Sequence, residues 1–271
     1  MLRCKILSLI AIISICGSVH AQELFVFSEP ASNMPARSMG IRLSNWMMDE
    51  PSTSHINYHF IPEVMIGINN RIMLHAEAFI SNRKGGLNAE GGGLYAKYRF
   101  YSKDNVYRHF RMAAFGRIST NNGEIHQEEI MTNGHNTGFQ LGLIGTQLLH
   151  KLALSGTLYM EQDYDNYNDN QLPSGMADKA INYSISAGRL ILPKKYNGYD
   201  QVNMNLMVEL IGQTLPQNGK QYLDIAPSLQ FIFNSQTRVD IAFKKELYSN
   251  MLRSAPNGIL LRIEHLLFNV L

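Results

Sequence analysis

From about residue 38 onward, the chain alternates apolar and polar side chains in runs of about ten residues. In the clearest run, Ile56, Tyr58, Phe60, Pro62, Val64, Ile66 and Ile68 interleave with Asn57, His59, Glu63 and Gly67. A second run follows one tight break, with Ile72, Leu74, Ala76, Ala78 and Ile80 set against Met73, His75, Glu77 and Phe79. A side-chain period of two means extended strands with one apolar face. Strands this long and regular, if they cross a bilayer, must close on themselves, because hydrocarbon offers no partner to an open sheet edge.

The N-terminus agrees with an exported chain. Arg3 and Lys5, the apolar stretch Leu7 to Ile15 and the small-residue pattern Val19-His20-Ala21 read as a signal peptide over residues 1–21. Cys4 and Cys16 are the two cysteines and would leave with it, so the mature chain has no disulfide chemistry. Removing Arg3 and Lys5 takes 24 basic residues to 22, against 22 acidic ones. A formally neutral mature chain makes no case for nucleic acid. No later stretch approaches the roughly 20 apolar residues of a spanning helix.

About twelve strands are expected, near 38–48, 55–68, 71–81, 89–101, 108–119, 137–149, 152–162, 180–192, 201–213, 221–233, 237–248 and 258–270. The connections between them alternate in character. Asn69-Asn70, Ser102 to Tyr107, His150-Lys151, Pro193 to Asp200 and Asn234 to Gln236 are mostly short and rich in turn residues. Asp49 to Ser54, Asn82 to Asn88, Thr120 to Asn136, Asp163 to Lys179, Thr214 to Lys220 and Ser249 to Asn257 are mostly longer. This is the asymmetry of a barrel with short periplasmic turns and long outer loops. Phe100, Tyr101, Phe110, Phe231, Phe233 and Phe268 fall at expected periplasmic strand ends, and Trp46 near an outer one, as interfacial girdles require. The expected organisation is a signal peptide at 1–21, a periplasmic or lumenal coil at 22–37 and an all-β antiparallel transmembrane barrel at 38–271.

Several segments carry a resemblance. Pro62-Glu63-Val64-Met65 with Met73-Leu74-His75-Ala76, the run from Gly91 to Tyr98, and Phe110 to Phe115 are similar to barrel transporters grouped with the phenol meta-pathway proteins. The whole pattern resembles Gram-negative outer-membrane β-barrels. Such barrels usually end on an aromatic residue, whereas this chain ends Phe268-Asn269-Val270-Leu271. Leu266, Phe268 and Val270 also share parity with Arg262 and Glu264, so a bulge or a departure from the bilayer is expected near His265.

Alternation also assigns the lumen. Lys97, Arg99, Arg111 and Arg117 form a basic wall, and Glu209, Asp224 and Asp240 an acidic wall on roughly the opposite side. Arg42, His59, Glu63, His75 and Glu77 join them inside, while Lys244 and Arg262 blur the segregation. Two readings stand: a transverse field across a narrow pore, or a lumen packed with mutually neutralised ion pairs. His126, Glu128, Glu129, Met131 and His135 share one outer loop, and His55 and His59 lie four apart on one strand face. No ordered ligand spacing accompanies them, so they read as loop and lumen histidines, and neither metal nor cofactor is expected. Asp163 and Asp165 lack the spacing of a calcium loop. A barrel hydrolase would set histidine and serine two apart on one strand. Ser54-His55 instead puts them on opposite faces, and the expectation is a non-enzyme.

The function read from the sequence is passive passage of a small polar or aromatic solute across the outer membrane, with loops 120–136 and 163–179 controlling entry. The alternative is a non-conducting barrel whose outer loops bind a partner or a metal ion. Expected partners are outer-membrane lipid, lipopolysaccharide and a small solute, with oligomeric state left open.

Overall fold

The computed structural model describes residues 25–49, 56–83, 85–106, 108–194 and 201–271. The signal peptide and His55 lie outside them. Twelve strands follow in chain order: β1 (Ser38–Asp49), β2 (Ile56–Gly67), β3 (Ile72–Ser81), β4 (Asn88–Asn105), β5 (Arg108–Asn121), β6 (Thr137–Leu149), β7 (Leu152–Tyr164), β8 (Lys179–Leu192), β9 (Asn203–Thr214), β10 (Gln221–Phe233), β11 (Thr237–Ser249) and β12 (Asn257–Leu267). Each pairs antiparallel with its chain neighbours, and β1 closes on β12, so the sheet has no free edge. Arg42 marks the seam, facing Glu264 on one side and Glu63 on the other.

The period of two becomes an inverted protein. Side chains such as Ile41, Leu94, Leu158, Ile185 and Ile241 stand outward and exposed, Ile185 at 65%. Their strand neighbours point inward and are shut away: Glu209, Gln230 and Asp240 are 0% exposed. An apolar exterior around a polar interior is stable only in hydrocarbon, where each large aliphatic side chain recovers roughly 1.5–3 kcal/mol on leaving water. Among the described residues no helix is long and apolar enough to cross a membrane. The crossing is made by strands.

Hairpin chemistry fixes the closed ends. Asn234 and Ser235 both take positive φ, 49° and 58°, the twist that matches a two-residue turn to its flanking strands. Gly91 allows β4 to run against β5 so closely that a Cβ there would lie 1.9 Å from the Thr120 carbonyl oxygen. The triple glycine thus marks close backbone packing, with a register shift opposite it between Phe79 and Ile80.

Three expectations need correction. Ser102 to Asn105 continue β4 rather than forming the turn, held by Ser102 donating to Asp104 and by Asp104 bonding His109 and Arg111 on β5. At the C-terminus β12 stops at Leu267 and not at 270, so of the two alternatives expected near His265 the bulge is absent and the strand simply ends. Leu266 turns inward among Met34, Met65 and Met73, while Phe268 and Val270 lie outside the strand and exposed. Trp46 does not join a lipid girdle. It has the parity of Arg42 and packs inside against Phe27, their ring centroids 4.9 Å apart.

Candidate functional site in the barrel lumen

The lumen is closed from below by the segment that precedes β1. Residues 25–36 enter the barrel, and Phe25, Val26 and Ala31 are nearly inaccessible. Phe25 and Val26 join Leu148, Ala153, Met207 and Leu260, whereas Ala31 and Met34 pack with Met65, Met73 and Ile144. An irregular segment taken from water must still satisfy its backbone. Glu209 meets that need, accepting the N–H groups of Val26 (2.9 Å), Phe27 (2.8 Å) and Ser28 (2.9 Å) together with the Ser28 hydroxyl (2.6 Å). Across the lumen Lys97 does the converse, donating to the carbonyls of Pro30 (2.7 Å) and Ser32 (2.9 Å). Ala31 N–H reaches the Thr146 hydroxyl at 2.9 Å, and Arg111 holds the Ser32 hydroxyl at 2.8 Å. We call this segment the floor.

The roof is the β5–β6 loop, residues 122–136, which folds inward over the lumen. Gln213 forms a two-point clasp, accepting from Ile130 N–H (3.0 Å) and donating to its carbonyl (2.7 Å). Glu161 accepts from Thr132 N–H and hydroxyl, and from Gln140 and Asn182. Gly134, at φ +113°, lies so near the His59 ring that a Cβ would meet it at 2.2 Å. A second outer loop locks the first. Arg253 forks onto both Asp224 oxygens at 2.7 Å, pairs with Glu129 at 3.2 Å and stacks 3.7 Å from the Tyr222 ring centre. At the rim Lys220 binds Glu128, whose other oxygen accepts Leu252 N–H. The Lys220 bond, aided by the Leu252 N–H, holds the Glu128 carboxyl below its usual range.

Between floor and roof is a cavity of about 170 Å³. Phe27 and Trp46 form one side; Tyr95, Phe115 and Tyr159 form another, with successive ring centroids 5.6 and 5.7 Å apart. Ile130 and Met131 descend from the roof, and Arg117, Lys244, Glu161 and Asp224 add charge.

All twelve residues read from the alternation can now be placed. Lys97 and Arg111 point inward and bind the floor, while Arg99 is half-buried beside the register shift that precedes Tyr101. Arg117 pairs with Glu77 at 2.9 Å. Glu209 binds the floor, Asp224 binds Arg253, and Asp240 lies 3.2 Å from Arg238 and 3.9 Å from Arg262. Arg42 links Glu29, Glu63 and Glu264, and His75 sits 3.4 Å from Glu63. His59 stacks near His135, ring centroids 5.0 Å apart. The two walls therefore do not confront each other across an empty bore. Many of their charges meet a partner on a neighbouring strand, on the floor or on a loop.

The loop residues proposed as metal ligands are also dispersed: Glu128 goes to Lys220, Glu129 to Arg253 and His135 to Arg83. Asp163 accepts from Asn136 and Asp165 from Leu172 N–H, so the acidic stretch serves loop structure. Sequence reasoning missed Glu29 and Arg253 and left the coil at 22–37 open between periplasm and lumen, because alternation says nothing about irregular segments; residues 25–36 take the lumenal course. Trp46 and Glu161 were within reach, since strand parity alone puts both inside.

A family-model search gives no match, and no curated protein sequence matches. Solved structures do. The β domain of the Bordetella autotransporter BrkA is 9% identical, with TM-score 0.46, covering 84% of this chain and 98% of that one. The CymD monoaromatic hydrocarbon channel is 9% identical, with TM-score 0.41 and coverage of 86% and 88%. A loop-deletion mutant of OmpT, an outer membrane protein of Vibrio cholerae, is 9% identical, with TM-score 0.37 and coverage of 85% and 98%. The closed antiparallel barrel of this chain stands on its own strand pairing, in which β1 meets β12. The expectation of a non-enzyme is corrected at this point: likeness confined to the fold excludes no catalytic activity.

Proposed function

We propose that this barrel is a gated outer-membrane channel for a small polar or aromatic solute, exported by way of the signal peptide at residues 1–21. One observation carries the reading: the lumen is hollow at mid-height, yet closed by two segments that are not strands of the wall. A wall of twelve paired strands cannot dilate without breaking backbone hydrogen bonds, but a coil and a loop can leave while the barrel stays closed. The floor is the better candidate to move, because it is one segment held mainly at Glu209, Lys97 and Arg111. On its departure those three groups, with Arg117, Asp224 and Asp240, become the lining that a solute meets. The solute and the surrounding lipid and lipopolysaccharide are the expected partners.

The ion-paired interior favours one rival, a barrel that conducts nothing and presents its outer loops to a partner. Liposome swelling separates the two. A gated channel admits small sugars, amino acids or single-ring acids and excludes larger oligosaccharides. Failure of every solute to enter, both in the native protein and in Glu209→Ala, would leave the non-conducting barrel standing.

A further inference from the structure

We propose that the mid-lumen cavity is a binding site for a small carboxylate whose body is flat and apolar, about one ring in size. The site deepens the passage reading, on which it rests for the ligand's route of entry, but occupancy can be measured without transport.

Volume sets the scale. At about 170 Å³ the cavity slightly exceeds the roughly 150 Å³ that holds a benzene molecule in an apolar protein interior. Shape sets the body. The Phe27–Trp46 pair and the Tyr95–Phe115–Tyr159 row give the cavity two aromatic sides, surfaces that favour a planar apolar group.

The polar groups set the head. Among the lining residues, three buried atoms have no hydrogen-bond partner among the described residues: Tyr95 Oη, Arg117 Nε and Thr157 Oγ1. They come from β4, β5 and β7, and Tyr95 faces Arg117 directly in the strand register. The Arg117 guanidinium carbon lies 5.4 Å from the Tyr95 ring centre. All three atoms can donate, and the guanidinium nitrogen can only donate. Lys244 adds a second cation, 5.6 Å from the Trp46 ring centre and 3.9 Å from the nearest Asp224 oxygen.

The carboxylates of the lining are, by contrast, already engaged. Glu29 is held by Arg42, Glu161 by Thr132, Gln140 and Asn182, and Asp224 by the Arg253 fork. Three unmet donor atoms, one of them on an Arg117 that already pairs with Glu77 through Nη1, stand beside engaged lining carboxylates, and the set is short of an acceptor-rich anion. An unmet buried donor is costly, so a ligand that supplies acceptors recovers more than its contact area alone.

Trp46 is the only tryptophan in the chain and lines the cavity, so its fluorescence reports occupancy without a label. The full mature barrel, folded in detergent, would be titrated with benzoate, phenol and acetate. A saturable Trp46 response is expected for benzoate, with phenol and acetate each at least tenfold weaker. Tyr95→Phe and Thr157→Val remove only unpartnered hydroxyls, so both should fold as the native chain does. Each should weaken benzoate about tenfold, the usual worth of a hydrogen bond to a charged partner. No saturable response to benzoate, or native affinity in both variants, would overturn the site. Phenol binding as tightly as benzoate would overturn the anionic head, and acetate doing so would overturn the apolar body. Saturable binding in detergent together with failed liposome swelling would remove the passage reading and leave the site standing.

Discussion

Floor and roof close the same lumen by different means. The floor offers its backbone, and single charged side chains of the wall grip it: Glu209 takes three successive N–H groups and Lys97 two carbonyls. The roof is held at backbone too, by Gln213 and Glu161, but it is also locked loop to loop by the buried ion pairs of Arg253 with Glu129 and Asp224. Both closures shelter charge, but their failure modes differ. Losing a grip on the floor frees one segment, whereas losing a node of the roof strands buried charges in several elements. The barrel therefore has a detachable side and a structural side.

The roof should give the largest effect on stability. Arg253→Ala leaves Asp224 and Glu129 buried without their cation, a loss of roughly 3–5 kcal/mol. A large fall in melting temperature, read by loss of the strand signal on heating, is expected. An unchanged transition would show the roof to be ornamental.

Glu209→Ala should instead act on the floor alone. Its bonds are charge-assisted, each worth about 1.5–3 kcal/mol. Amide exchange at Val26, Phe27 and Ser28 should accelerate by one to several orders of magnitude, while the melting of the barrel changes little. If floor and barrel lose protection together, the distinction between them collapses. Lys97→Met should give a smaller version of the same result, since Thr146 and Arg111 still hold Ala31 and Ser32.

The smallest effect is at the rim. Glu128 is held below its usual carboxylate range by Lys220, so its tether is present above the unfolded carboxylate's pKa of about 4.3 and is lost as pH falls through its depressed value. Exchange at Leu252 N–H should quicken on acidification below that range, ahead of the floor amides. Simultaneous release would contradict a separately tethered rim.

How much of this was legible follows from what alternation encodes. Strand order and the two faces of each strand come directly from a period of two, since a strand has no third direction. Even Trp46 obeys it, and was misplaced only because its nearness to a strand end was weighed above its parity with Arg42. Leu266 similarly keeps its inward parity, with the apolar floor rather than lipid as its neighbour. What alternation cannot carry is the course of irregular chain. Nothing in the spacing of residues 25–36 chooses between the periplasmic and the lumenal course expected for them, and Arg253 has no strand to point it. The partners of the charged residues, many of them on the floor and loops, are what alternation leaves invisible.

The central claim is that the floor, and not the wall, shuts this barrel. Single-channel recording in planar bilayers tests it most directly, comparing the mature protein with a variant lacking residues 25–33, both shown to be folded by heat-modifiable migration. The account predicts rare, brief openings for the native chain and markedly longer and more frequent ones for the deletion, with the roof loop as the constriction that remains. Equal conductance in the two, whether open or silent, would contradict it.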